Sequence, residues 1–142
     1  MAAEYSIANI QTVAKDGNVL FIDGARACRK GYITHRTGSG VFRIKGANNG
    51  RAIYRVTFNG NIAVAAGGTL QPISIALQED GETLNNAVAT VTPAAIGDFF
   101  NVSCETFISL PCGCCASVSV KNISTTTAII VANANIIFDR IA

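Results

Sequence analysis

Tyr54-Arg-Val-Thr-Phe-Asn59 sets Tyr54, Val56 and Phe58 in strict alternation with Arg55, Thr57 and Asn59. Successive side chains of a strand point to opposite faces, so this alternation marks a strand with one buried face. The same period returns in Ile73, Ile75 and Leu77 against Ser74, Ala76 and Gln78. It returns in Val102, Cys104 and Thr106 against Ser103, Glu105 and Phe107, and in Val118 and Val120 against Ser117, Ser119 and Lys121. Ala128-Ile-Ile-Val-Ala-Asn-Ala-Asn-Ile-Ile-Phe138 is apolar on both faces, which suits a central strand or one whose outer face meets another subunit.

Reversal chemistry separates these runs: Asp16-Gly17, Asp23-Gly24, Gly38-Ser-Gly40, Asn48-Asn-Gly50, Asn59-Gly60, Gly67-Gly68, Asp80-Gly81 and Pro111-Cys-Gly113. No stretch carries a convincing helical period. Pro93-Ala-Ala-Ile96 allows one short turn, with proline suited to the first helical position. Eight to ten short strands then make an all-β fold, an antiparallel sandwich or jelly roll, in a single domain over residues 1–142.

Composition bounds the surface. Of 142 residues 49% are apolar and only 14% charged, against about 25% charged in an average soluble domain. This excludes disorder and leaves too few charges to cover a solvated monomer, so part of the outside is expected to face another subunit. The net charge of +2 conceals an asymmetry. Arg26, Arg29, Lys30, Arg36, Arg43, Lys45, Arg51 and Arg55 follow one another with no acidic residue between them, whereas acidic residues dominate after Val56. Such a run reads either as a surface for an anionic partner or as the solvated faces of strands.

Catalytic and metal chemistry finds little purchase. The only histidine is His35, Gly38-Ser-Gly40 lacks the spacing of a nucleophile elbow, and Gly46-Ala-Asn-Asn-Gly50 lacks the ending of a phosphate loop. The expectation is a non-enzyme with no cofactor. Cys28, Cys104, Cys112, Cys114 and Cys115 are odd in number, which forbids a closed intrachain disulfide framework. Cys112-Gly-Cys-Cys115 is one cluster where a zinc site needs two pairs, so the cysteines read as small buried hydrophobes, or else as a site shared across a symmetry axis. Glu79, Asp80 and Glu82 around Gly81 lack the spacing of a calcium loop and read as a solvated turn.

Tyr32, Phe42, Tyr54 and Phe58 interleave with the basic run, as in readers of nucleic acid. Tyr54 and Phe58 fall in the buried register, however, which argues against that partner. No run approaches the roughly 18 apolar residues of a membrane span. Met1-Ala-Ala-Glu-Tyr-Ser6 does not resemble a secretory leader, so synthesis in the cytoplasm and no membrane partner are expected.

Tyr54–Phe58, Ile73-Ser-Ile-Ala-Leu-Gln-Glu-Asp-Gly81, Phe100-Asn-Val-Ser103, Val118-Ser-Val-Lys-Asn-Ile-Ser124 and the closing Phe138-Asp-Arg-Ile-Ala142 resemble the tumour-necrosis-factor-like jelly roll. That family includes complement-type globular heads and the tips of bacterial spore-coat collagen-like glycoproteins. The likeness spans roughly Arg51 to Ala142. Ser6-Ile-Ala-Asn-Ile-Gln-Thr-Val-Ala14, Asn18-Val-Leu-Phe21, His35-Arg-Thr-Gly-Ser-Gly40, Val91-Thr-Pro-Ala-Ala95 and Gly113-Cys-Cys-Ala-Ser-Val-Ser-Val120 are similar to small virion structural proteins of bacteriophages and prophages of gut Firmicutes, as is Asn133-Ala-Asn135.

The resemblance implies a homotrimer. It leads to the expectation of a capsid decoration protein, made in the bacterial cytoplasm, that binds the major capsid protein on the virion exterior and reinforces the shell. The alternative is a head-fibre tip or adhesin that binds a host surface glycan. An adhesin should expose aromatics for sugar stacking, whereas Trp is absent and the aromatics fall mainly in core register. A spore-surface or secreted trimer is a third reading, which the missing leader and missing Gly-X-Y stalk oppose. The residues expected to meet an acidic capsid surface are Arg26, Arg29, Lys30, Arg36, Arg43 and Lys45.

Overall fold

A computed structural model describes residues 2–23, 32–47, 50–113 and 115–141. Eleven strands form among the described residues: β1 (Ala2–Ile7), β2 (Gln11–Val13), β3 (Ile22–Asp23), β4 (Ile33–His35), β5 (Val41–Lys45), β6 (Ala52–Val64), β7 (Ile73–Glu79), β8 (Glu82–Val91), β9 (Phe100–Leu110), β10 (Cys115–Asn122) and β11 (Ile129–Arg140). They build two sheets, and the strand pairings among the described residues are antiparallel. One runs β3-β1-β11-β6-β9, with β2 also paired to β11, and the other β4-β5-β10-β7-β8. The chain passes between the sheets from β5 to β6, β6 to β7, β8 to β9, β9 to β10 and β10 to β11, the winding of a jelly roll, while β4–β5 and β7–β8 are hairpins within one sheet.

The apolar side of each alternating run faces the core, although Ala76, Gln78 and Ser119 of the opposite sides are buried as well. Tyr54, Val56 and Phe58 of β6, Ile73, Ile75 and Leu77 of β7, and Val118 and Val120 of β10 are buried in the one core that both sheets share. Val102, Cys104 and Thr106 of β9 point the same way, while Phe107 faces outward and is 61% exposed.

Asn59-Gly60, which reads as a turn in sequence, lies inside β6. The ladder runs on through it, Asn59 opposite Ser103 and Gly60 opposite Val102. Gly60 serves close packing: a Cβ there would sit 3.0 Å from Phe58 Cζ. Two flanking strands hold β6 straight, and that long-range pairing overrides a local turn propensity.

β11 lies between β6 on one side and β1 and β2 on the other. Its apolarity on both faces has a second cause. A bulge between Ala132 and Asn135, with Asn133 at φ +54°, shifts the register. Ile129 and Val131 are buried before the bulge, and Ala134, Ile136 and Phe138 after it. The extra residue inverts which positions face the core.

Pro93–Ile96 is irregular and mostly exposed rather than helical. Four residues cannot recover the cost of nucleating a helix, and Gly97 at φ +89° turns the chain into β9.

β5 covers only Cys115–Ser119 of β10. Residues 16–19 take over the remaining edge. Val19 N–H donates to the Val120 carbonyl (2.8 Å), Asp16 N–H to the Asn122 carbonyl (2.9 Å), and Asn122 N–H to the Gly17 carbonyl (2.9 Å). Asn122 fastens the corner. Its Nδ2 donates to the carbonyls of Val13 and Thr127 (both 3.1 Å), and its Oδ1 accepts from Ser124 N–H (3.0 Å).

Candidate partner-binding face

The basic run divides between the two sheets. Arg51 donates to Ser109 Oγ (3.0 Å), and Arg55 pairs with Asp139 (3.0 Å) across β6 and β11. Arg43 and Lys45 instead project from the outer face of β5, while Phe42 and Ile44, which alternate with them, are fully buried. Arg36 stands exposed in the β4–β5 turn. Three of the six expected contact residues thus share one hairpin. Arg26, Arg29 and Lys30 lie outside the described residues, as do Cys28 and Cys114.

Aromatic packing holds this hairpin. The Phe42 ring lies 4.9 Å from Tyr5, 5.0 Å from Phe138 and 5.5 Å from Phe21, and His35 stacks on it at 4.2 Å and 14°. His35 Nε2–H donates to the Ser39 carbonyl (2.8 Å) and closes the turn. Ser39 N–H donates to the Arg36 carbonyl (2.8 Å), with Gly38 at φ +86°. The lone histidine is therefore a strut of the hairpin, set between Tyr5, Phe42 and a backbone carbonyl.

Each exposed cation has a setting. Arg43 Nη2 donates to Cys115 Sγ at 2.8 Å. Lys45 lies opposite Cys115 in the ladder; its N–H donates to the Tyr32 carbonyl (2.9 Å), and its own carbonyl accepts from Tyr54 Oη (2.6 Å). Arg140 lies over the Tyr32 ring, 4.4 Å from its centre. Arg140 thus joins the basic face although it stands in the acidic part of the sequence. Only the pairing of the end of β11 with the start of β6, Arg140 opposite Tyr54, brings it there.

The acidic turn docks on the other side of β10. Asp80 (φ +52°) and Gly81 (φ +84°) form the two-residue β7–β8 hairpin, a conformation that calls for left-handed backbone at both positions. Asp80 Oδ1 accepts from Ser117 N–H (2.9 Å), and Asp80 N–H donates to the Ser117 carbonyl (2.8 Å). The Asp80 carboxylate is thereby engaged by backbone. Among the described residues no three His, Cys, Asp or Glu side chains converge on a common point.

Burial, and then the charge of Asp80, push the Glu79 carboxyl above its ordinary range. A carboxyl raised in the folded state contributes stability below its unfolded value, and that contribution is lost as pH rises through the folded value. Glu79→Gln is therefore expected to raise the melting temperature at pH 7. The gain should shrink toward zero as pH falls below the carboxylate range, and calorimetry across that series checks it.

The described cysteines differ sharply. Cys104 is buried between the sheets, where desolvation pushes its thiol up to about 11 and a hydrogen bond with the Leu77 backbone only partly offsets this. Cys112 is exposed and Cys115 half-buried. Cys104 is expected to resist iodoacetamide in the native protein and to react only in denaturant, while Cys112 reacts natively; peptide mapping after labelling distinguishes the two.

Tyr5, Tyr54, Phe21, Phe42, Phe58 and Phe138 fill the core, as their register implies, but Phe99, Phe100 and Phe107 are exposed. Phe107 stands on the outer face of the first sheet. That face also carries polar pairs, Thr57 bonded to Glu105 (2.9 Å), Asn101 to Asn61 (3.1 Å) and Asn135 to Glu4 (2.8 Å).

No protein-family model matches the chain, and no curated protein matches it in sequence. Solved structures do. Eiger, a tumour necrosis factor of S. frugiperda, is 14% identical at a TM-score of 0.68, over 100% of this chain and 92% of that one. Murine APRIL is 11% identical at 0.64, over 98% and 99%. The globular domain of zebrafish complement 1qA is 13% identical at 0.61, over 94% of each. Identities this low speak to architecture alone, and the architecture is the tumour-necrosis-factor-like jelly roll over nearly the whole chain, not only the stretch from Arg51 onward.

Proposed function

We propose that this chain is a non-enzymatic virion protein, a homotrimer that decorates a bacteriophage capsid from outside and reinforces it by binding the major capsid protein. The observation that carries the reading is the β4–β5 hairpin, where Arg36, Arg43 and Lys45 stand on a rigid aromatic base and Arg140 adds a fourth cation nearby. A fixed cationic surface meets an acidic one without first having to order itself. Arg26, Arg29 and Lys30 belong to the same proposed contact by sequence. The trimer rests on the fold and on the shortage of charge. The exposed Phe107 of β9 provides apolar surface for a subunit contact on the other sheet, away from the basic hairpin.

Exposed charge pairs contribute only about 0.2–1 kcal/mol each, but three copies engaged together multiply them. The test is co-sedimentation with purified capsids across a salt series. Arg43→Glu/Lys45→Glu is expected to weaken binding and flatten its salt dependence. Unchanged binding by the folded double variant would contradict the contact. Light scattering should report three chains of 14.8 kDa, and a stable 14.8 kDa species at micromolar concentration would contradict the trimer.

The alternative, a fibre tip or adhesin for a host glycan, would draw on Phe99 and Phe100, which are exposed where the chain enters β9. Alanine substitutions there would abolish glycan binding and leave capsid binding intact.

A further inference from the structure

The ladder between β11 and its neighbours β1 and β2 is interrupted at one level. Ile7 of β1 stands opposite Ala134, and pairing resumes only with Gln11 of β2 opposite Val131. Ala8, Asn9 and Ile10 leave the ladder between them. On the facing strand the bulge between Ala132 and Asn135 sets exposed Asn133 at φ +54°. Both strands thus depart from regular pairing side by side, and a cleft of about 350 Å³ opens there on the outer face of the first sheet. Bulges recur beside binding sites, where they re-aim side chains, and the volume lies within the range of small-molecule pockets, about 300–1,000 Å³.

Glu4, Ser6, Ile7, Ala8, Asn133 and Asn135 line the cleft. Asn135 Nδ2 donates to Glu4 Oε2 (2.8 Å), which fixes the amide and the carboxylate against each other. The lining then offers acceptors on Glu4 and the asparagine carbonyls, and donors on Ser6 and Asn133. An ammonium group only donates and an anion only accepts, so each would use half of this set. A hydroxyl does both. A sugar ring carries several hydroxyls on a C–H framework, and that framework can rest on Ala8 and on Ile7, which packs against the core.

We propose that this cleft is a saccharide subsite that takes one neutral sugar ring. It goes beyond the capsid reading and does not depend on it, because the basic hairpin belongs to the other sheet. It is also separate from Phe99 and Phe100, which stand at the start of β9, two strands away from β11.

The experiment titrates the isotope-labelled native protein with glucose, galactose, rhamnose and N-acetylglucosamine at millimolar concentration, and with ethylammonium chloride as a probe that only donates. Amide NMR signals report the site, and circular dichroism verifies the fold of each variant. Saturable shifts of Ser6–Ala8 and Asn133–Asn135 are expected with at least one sugar, and none with ethylammonium. Asn135→Ala and Glu4→Gln are each expected to weaken that sugar about tenfold, the loss for one hydrogen bond to a charged or fixed partner. Phe99→Ala/Phe100→Ala should leave it unchanged. No saturable shift with any of the four sugars, shifts centred on Phe99 and Phe100, the same shifts with ethylammonium, or unchanged affinity in folded Asn135→Ala and Glu4→Gln would each overturn the proposal.

Discussion

Phe42→Ala is expected to cost about 3–5 kcal/mol, the range for removing a fully enclosed phenylalanine. Domains of this size hold only about 5–15 kcal/mol in total, so the variant should lose a large part of its stability. Phe42 is fully buried and touches the rings of Tyr5, Phe21, His35 and Phe138, which come from three other strands and one connecting segment of the chain. Those rings cannot all move into the void, because three are fixed by their own strands and Phe21 by backbone hydrogen bonds with Ser39 and Gly38. Urea denaturation should show the midpoint falling with little change in slope. The effect should reach the surface as well, since Phe42 is the anchor between Val41 and Arg43 that holds the basic edge of β5 in place.

Asn122→Ala should produce a loss of about 2–4 kcal/mol by a different route. The side chain is fully buried and makes three hydrogen bonds to backbone, at Val13, Thr127 and Ser124. Alanine leaves two carbonyls and one N–H without these bonds inside the protein, and each such group costs about 1–3 kcal/mol. Asn122→Asp should not rescue the protein, because a carboxylate cannot donate to the Val13 and Thr127 carbonyls. A loss below about 1 kcal/mol in either variant would mean that the corner between β2, β10 and β11 is fastened elsewhere.

Most of the fold is legible because each strand reports its buried face in its own period. Tyr54, Ile73, Val102 and Val118 all open alternating runs that the core accepts without exception. Legibility fails where a distant partner decides. Nothing local in Asn59-Gly60 shows that β9 and β11 will hold it straight, and nothing in Asn133 shows that a bulge will exchange the two faces of β11. The short β2 and β3 and the edge formed by residues 16–19 exist only because β1, β10 and β11 offer unpaired backbone for them.

The candidate face was partly legible. The basic run marks Arg36, Arg43 and Lys45 as candidates, and the alternation of β5 in the structure sets Arg43 and Lys45 outward. The separation of Arg51 and Arg55 onto the other sheet could not be read, because a charge run carries no information about which sheet each residue joins. Asp139, which pairs with Arg55, is 84 positions away in the chain. Arg140 escaped for the same reason, since only the antiparallel match of β11 with β6 brings it to Tyr32. The contact between Arg43 and Cys115 joins two features that sequence reading treated separately, a basic run and a cysteine cluster.

Quantitative mass spectrometry of virus particles purified from a bacterial culture that expresses this gene tests the proposed function most directly. The account predicts that the chain is present on full and empty capsids at a fixed copy number in multiples of three per capsomer site, accessible to antibody from outside, and released by high salt. Virions that lack the chain, or that carry it only in a detachable fibre fraction, would contradict it.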